Sequence, residues 1–252
     1  MSPDQPASTM RSLERAFDVL DVLTRGPVPM RLSEIARRAG LHIATTQRIL
    51  TVLEGRGYAE KSELGYRVGL TPLFPAHSYL TNNPLSAAAA TVLQELATAT
   101  GLTASLFVRS GRDRVVISRV PGARVLRYQL PIGERMPLHA GAGKVLAADM
   151  DQADLDDLLT ATGTITRVTG EVITHERLHE ELARIRRDGY SVSVNERAIG
   201  VTSVAAPVND AAGRAVAAAA VTGLSEEVPE ERFHPLVAEV QRAADAITRR
   251  LI

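Results

Sequence analysis

Residues 32–55 read LSEIARRAGLHIATTQRILTVLEG, two runs of helical periodicity on either side of Gly40, and this leaves the stretch few ways to fold. Ile35 and Ala36 face inward from the first short helix, Gly40 takes the tight turn, and Leu41, Ile49, Leu50 and Leu53 form the apolar side of the second. Two helices joined in this way predict a helix-turn-helix, a unit that lays its second helix in a DNA major groove. Ile43, Ala44, Thr45, Thr46, Gln47 and Arg48 then sit near that helix's N-terminus, where side chains reach base edges. Upstream, Ser12 can cap a helix whose Leu13, Ala16, Phe17, Leu20 and Leu23 recur at three- and four-residue steps up to Gly26-Pro27. Downstream, 58–61 and 66–69 alternate as two short strands around the turn Ser62-Glu63-Leu64-Gly65. Three helices and a hairpin predict a winged helix-turn-helix over 11–69, with Lys61 and Arg67 of the wing near phosphates and a disordered N-terminus at 1–10. From Arg25 to Arg67 there are eight Lys or Arg against four Asp or Glu, a local surplus of four in a chain of net charge zero.

A chain of 252 residues has room for a second packed unit. The absence of Cys excludes disulfides, thiolate nucleophiles and cysteine-based metal sites, and is consistent with a reducing compartment. Neutral net charge excludes polyanion binding over the whole surface. The first ten residues are polar and no apolar run approaches 18, so the sequence predicts a cytoplasmic protein without a membrane span.

The remainder reads as helix at 85–100, strands at 103–109, 114–120 and 125–130, and helices at 140–149, 154–159 and 174–188. Strands at 191–195, 201–208 and 214–221 follow, and then a closing amphipathic helix at 233–251. Ala217–Ala220 pose a conflict: four alanines favour helix, but Asn209-Asp210-Ala211-Ala212-Gly213 is turn chemistry that makes them a hairpin strand. We read a hairpin. Hairpins flanked by helices, without regular strand-helix alternation, predict an α+β domain on an antiparallel sheet over 83–252. Between the two units, Pro72 and Pro75 stiffen a linker at 70–82.

Six collinear segments together resemble the IclR family of bacterial transcription regulators: 12–23, 32–41, 48–60, PIGERMPLHAGAGKVLAA at 131–148, ITHERLHEELARIRRDGYSV at 173–192 and NERAIGVTSVAAPVND at 195–210. The resemblance implies a GAF/PAS-like effector domain with a curved antiparallel sheet. It also implies homodimers, or dimers of dimers, on imperfect palindromic operators in double-stranded DNA, and small organic acids or aromatic catabolites as effectors. No cofactor or metal is implied. The recognition helix departs from the family's usual opening, having His42, Ile43, Ala44, Thr45 and Thr46 where Pro, a polar residue, Ser, Thr and Val are common. By the same resemblance the effector carboxylate meets backbone amides near Gly141, Ala142 and Gly143, in a segment one residue shorter than usual. Ser193 stands where some members carry an acid, Ser203 at a frequent Cys, and Ala220 at a frequent Ser, with Thr222 two residues on. Leu130, Met136, Leu138 and Val201 are the expected apolar walls and Tyr128 the mouth. Such a pocket favours an acid with a hydrophobic, aromatic body.

Two other readings compete. His175-Glu176-Arg177-Leu178-His179 matches the zinc metallohydrolase pattern H-E-x-x-H. Against it stand Arg177 between the glutamate and second histidine, charged flanks, no recognisable third ligand, and Leu178, Leu182 and Ile185 as a packing stripe that already explains the helix. An architectural DNA binder would need no organised second domain. A DNA-binding regulator that is not an enzyme remains the expectation.

Overall fold

The computed structural model describes residues 6–123 and 130–252, with side chains from residue 10 onward. The strand expected at 125–130 and the residue Tyr128 therefore lie outside the described residues, apart from Leu130. The chain divides into two compact units, 1–80 and 81–252, a break that falls inside the expected linker.

In the first unit, helix α1 (Pro6–Arg25) starts before Ser12 and corrects the expected disorder over 6–10: proline is at ease in a helix's first position, where no N–H is required. Its buried face is only partly the one expected, with Leu23 kept and Val19 added. Val19 and Leu23 enter the core, while Leu13 and Phe17 are exposed and Leu20 is half-buried. Helices α2 (Leu32–Arg38) and α3 (Ile43–Gly55) follow, then the wing strands β1 (Ala59–Ser62) and β2 (Gly65–Val68), paired from Ala59↔Val68 to Ser62↔Gly65. Val19, Leu23, Met30, Ile35, Leu50, Ala59 and Tyr66 form one core. Met30 and Tyr66 exchange two backbone hydrogen bonds, which ties the chain before α2 to the wing. The next turn requires glycine: Gly65 has φ +142, and a Cβ there would lie 2.5 Å from the Met30 carbonyl oxygen. Helix α4 (Leu73–Asn82) occupies most of the expected linker; it begins just after Pro72 and holds Pro75 within its first turn, where the missing N–H costs nothing.

The second unit is a six-stranded antiparallel sheet between helices. Helix α5 (Pro84–Thr100) is capped by Asn83, whose Oδ1 accepts from the amides of Leu85 and Ser86 at 2.9 and 3.3 Å, and closes on left-handed Gly101. Strands β3 (Thr103–Ser110), β4 (Asp113–Val120) and β5 (Arg135–Pro137) follow, then α6 (Gly143–Ala148) and α7 (Gln152–Thr162). A small hairpin, β6 (Ile165–Thr166) with β7 (Val172–Ile173), leads to α8 (His175–Asp188), which Thr174 caps. Strands β8 (Ser191–Val194), β9 (Val201–Asn209) and β10 (Ala215–Leu224) complete the sheet, in the order β5-β4-β3-β10-β9-β8, and α9 (Phe233–Leu251) closes the chain.

The hairpin reading of 209–221 holds: Asp210 Oδ1 accepts from the amides of Ala212 and Arg214, and the alanine run forms central strand β10. Ala217–Ala220 are completely buried because α5 and α9 cover one face of the sheet and α6 packs on the other. Methyl groups let both layers approach closely. Helix α6 is shorter than the expected 140–149, since Gly141 takes a left-handed φ of +56 and breaks helical continuity before it.

Candidate functional site

The N-terminal half of α3 presents Ile43, Ala44 and Arg48 to solvent, with Thr45 half-buried. Thr46 does not belong with them. It is fully buried because it shares the inward face with Leu50, one turn on, and its Oγ1 donates back to the His42 carbonyl at 3.2 Å. Gln47 is half-buried, and its Nε2 donates to the Tyr66 hydroxyl of the wing at 3.2 Å, so this amide locks helix to wing. On the wing, Lys61 stands 5.8 Å from the Tyr66 ring centroid, and Arg67 pairs with Glu60 across the hairpin at 2.7 Å. Sequence reading passed over Thr51 and Val52, which are also exposed on α3. Ile43, Ala44 and Arg48 thus form an exposed edge of α3 with the wing fixed against the helix through Gln47 and Tyr66; Lys61 shares the Tyr66 face of the hairpin and Arg67 stands on the opposite one.

The second unit contains a cavity of about 60 Å³ against the sheet face opposite α5 and α9, lined by Leu130, Gly141, Ser193, Val201, Ser203 and Thr222. These are six of the twelve effector-pocket residues expected from the sequence. Met136, Leu138, Ala142, Gly143 and Ala220 are instead packed into the interior around α6: Ala220 is two residues from Thr222 on the same strand face, but α6 covers it. Tyr128 is outside the described residues.

The expected role of the amides is changed as well. The Gly141 amide donates at 2.7 Å to Oε2 of Glu196, and the Gly143 amide donates to the Ala140 carbonyl. Glu196 is itself held by Lys144 Nζ at 2.5 Å and Arg167 Nη2 at 3.3 Å, and the same two cations bind Glu181 at 3.0 Å each. Burial pushes the Glu181 carboxyl up, but Lys144 and then Arg167 outweigh it and hold the group below the ordinary carboxylate range.

The cavity's charge comes from residues that periodicity did not single out. Arg114, at the start of β4, is 4% exposed, and its guanidinium lies 4.9 Å from the Phe107 ring centroid with Nη2 3.7 Å from the Met136 sulfur. Arg119 and Arg197 also line the space, as do Thr103 and Ser105. Ser193 is 5% exposed, and its Oγ has no hydrogen-bond partner among the described residues. Glu196 lines the space too, but with Lys144 and Arg167 balancing its charge, a cluster of hydroxyls and arginines around this small recess can hold a small anion with polar groups.

At the H-E-x-x-H segment, His175 Nε2 lies 3.1 Å from the Gly163 carbonyl oxygen. Among the described residues no group of three His, Cys, Asp or Glu is placed to hold a metal ion, and no helix is long and apolar enough to cross a membrane.

Residues 12–63 match the family model of the IclR helix-turn-helix domain, and 77–249 match that of the bacterial transcriptional regulator IclR C-terminal domain. The HTH-type transcriptional regulator XynR of Escherichia coli K12 is 30% identical over 245 residues, 96% of this chain and 97% of that protein. A transcriptional regulator from Rhodococcus sp. RHA1 superposes with a TM-score of 0.76 at 27% identity, covering 96% of this chain and 98% of the other. An IclR homologue from Microbacterium hydrocarbonoxydans, solved in complex with 4-hydroxybenzoate, gives 0.76 at 22% identity with 95% and 98% covered, a likeness of fold.

Proposed function

The chain belongs to the IclR family of bacterial transcriptional regulators, and from that premise we propose that it reads an operator through α3 and the wing and that a small organic acid bound against the sheet of the second unit tunes this reading. The cavity beside β3, β8, β9 and β10, with its hydroxyls and arginines, is the observation that carries the proposal. Ile43, Ala44 and Arg48 are the base-reading candidates. Thr45 serves at the rim, Gln47 sets the helix against the wing, and Lys61 and Arg67 approach phosphates. A homodimer, or a dimer of such dimers, would place two reading helices about 34 Å apart on an imperfect palindrome. The exposed α1 stripe of Met10, Leu13 and Phe17 supports such pairing.

The acid is small. At roughly 10–15 Å³ for each water-sized occupant, the cavity holds a handful of non-hydrogen atoms. Two of the four apolar walls that favoured an aromatic body, Met136 and Leu138, lie in the core, and Arg114 covers the Phe107 ring. Aliphatic oxoacids therefore stand beside 4-hydroxybenzoate, the ligand of the Microbacterium relative, as test compounds. Regulation without catalysis, in the cytoplasm and without a cofactor, completes the reading.

A gel-shift titration on DNA upstream of the gene, repeated with pyruvate, benzoate and 4-hydroxybenzoate, tests it. The expected result is a specific complex whose affinity one acid changes by about 5- to 150-fold. Failure to shift any upstream fragment at low salt would exclude the operator reading. A shift that no acid alters, together with unchanged acid binding in Ser203→Leu, would exclude the cavity.

A further inference from the structure

We propose that Arg114 selects an anionic effector: its guanidinium takes the carboxylate inside the cavity, and Ser193 Oγ takes a polar atom of the rest of the molecule. This rests on the effector reading above and names the residue that makes the site specific for acids. A guanidinium keeps its charge when buried, and its planar fork matches a carboxylate with two parallel hydrogen bonds. The Phe107 ring, with its centroid 4.9 Å from the guanidinium carbon, supports that group from one side.

The neighbouring loop is cut to the same shape. A Cβ on Gly141 would stand 2.9 Å from Arg114 Nη1, so the absence of a side chain there makes room for the guanidinium. The Gly141 amide, the expected carboxylate holder, is occupied by Glu196 at 2.7 Å, and Lys144 and Arg167 hold Glu196 in place. An entering acid therefore needs a different donor, and Arg114 lines the same space. Ser193 is an independent observation: the residue lines the cavity and is 5% exposed, and its buried Oγ has no partner among the described residues. A buried hydroxyl in that state is costly, and its place on the cavity assigns it a ligand atom as partner.

The test is calorimetric titration of the full chain and of Arg114→Gln, Arg114→Lys and Ser193→Ala with pyruvate, benzoate and 4-hydroxybenzoate, and with the matching neutral amides. Wild type is expected to prefer an acid over its amide by about 30-fold or more, the range of a charge-assisted pair. Arg114→Gln reduces that preference to within about threefold while amide binding survives. Should Arg114→Gln not fold, Arg114→Lys keeps the charge but loses the fork, and the acid is expected to weaken by about tenfold. Ser193→Ala weakens acid and amide alike. An undiminished acid preference in a folded Arg114→Gln, or unchanged acid affinity in Arg114→Lys, overturns the assignment while the effector reading stands. If wild type binds none of the acids, both are overturned.

Discussion

At Gly141 a left-handed backbone, a buried arginine and a carboxylate meet within one residue's reach. Its φ of +56 disfavours any L side chain, and an added Cβ would press on the Arg114 fork at 2.9 Å. Gly141→Ala is expected to destabilise the second unit by about 1–2 kcal/mol, read as a shift of the urea midpoint at unchanged slope. Two residues before it, His139 is expected to make stability depend on pH near neutrality. Burial is the main cause that lowers its pKa; the Glu196 carboxylate opposes this, and Arg114 and Arg197 add to it. A depressed pKa means that the unfolded chain binds the proton more readily. The contribution is thus present above the unfolded value of about 6.5 and is lost as pH falls through the folded one. Melting temperature should decline between pH 7.5 and 5.5, and His139→Gln should flatten that decline. An equally steep decline in the variant would assign the sensitivity to other groups.

Helix α1 shows how an element can be legible in kind and wrong in phase. Its apolar residues recur at helical spacing along two adjoining lines, Leu13-Phe17-Leu20 and Val19-Val22-Leu23, and periodicity alone cannot tell which one the core takes. The structure buries Val19 and Leu23 and leaves Phe17 60% exposed. If that free line is the dimer contact, Phe17→Glu yields monomers in sedimentation while the helical content is kept; an unchanged sedimentation coefficient would rule the contact out. The same ambiguity concealed Thr46, a polar residue at an inward position. The wing and the Asp210 turn were readable because each rests on local chemistry. Strands β5, β6 and β7, of two or three residues, are too short to show a period. Arg114 was missed for another reason: as a charged residue opening the strand expected at 114–120, next to the Gly111-Arg112-Asp113 turn, it carries no local sign of burial, and only the folding of β4 against β3 and the Gly141 loop encloses it.

The fold class and the two-unit division were visible along the whole chain because six separated segments carried the resemblance. Which residues surround the cavity was half visible, since alternation along a strand gives a face but not what covers it. Ala220 and Thr222 share a face, yet α6 lies over one while the other meets open space. For the whole molecule, linkage makes a strict demand: the factor by which an acid alters operator affinity must equal the factor by which the operator alters acid affinity. Titrating the acid with and without saturating operator DNA measures the second factor. A mismatch beyond error would mean that the acid acts outside the two-site scheme.

The alanine run of β10 provides a means of observing this. Ala218 and Ala220 point toward the α6 side of the sheet and Ala217 and Ala219 toward the other, and Ala220 is paired with Ser105 of the cavity on one neighbour and Ala205 on the other. Four methyl groups therefore sit inside the wall itself, two facing each way, like thermometers set into masonry. In a sample with isotopically labelled alanine methyls, their resonances would register an acid arriving at the cavity from within the unmodified protein, and a change in the pair facing away would show whether the disturbance crosses the sheet.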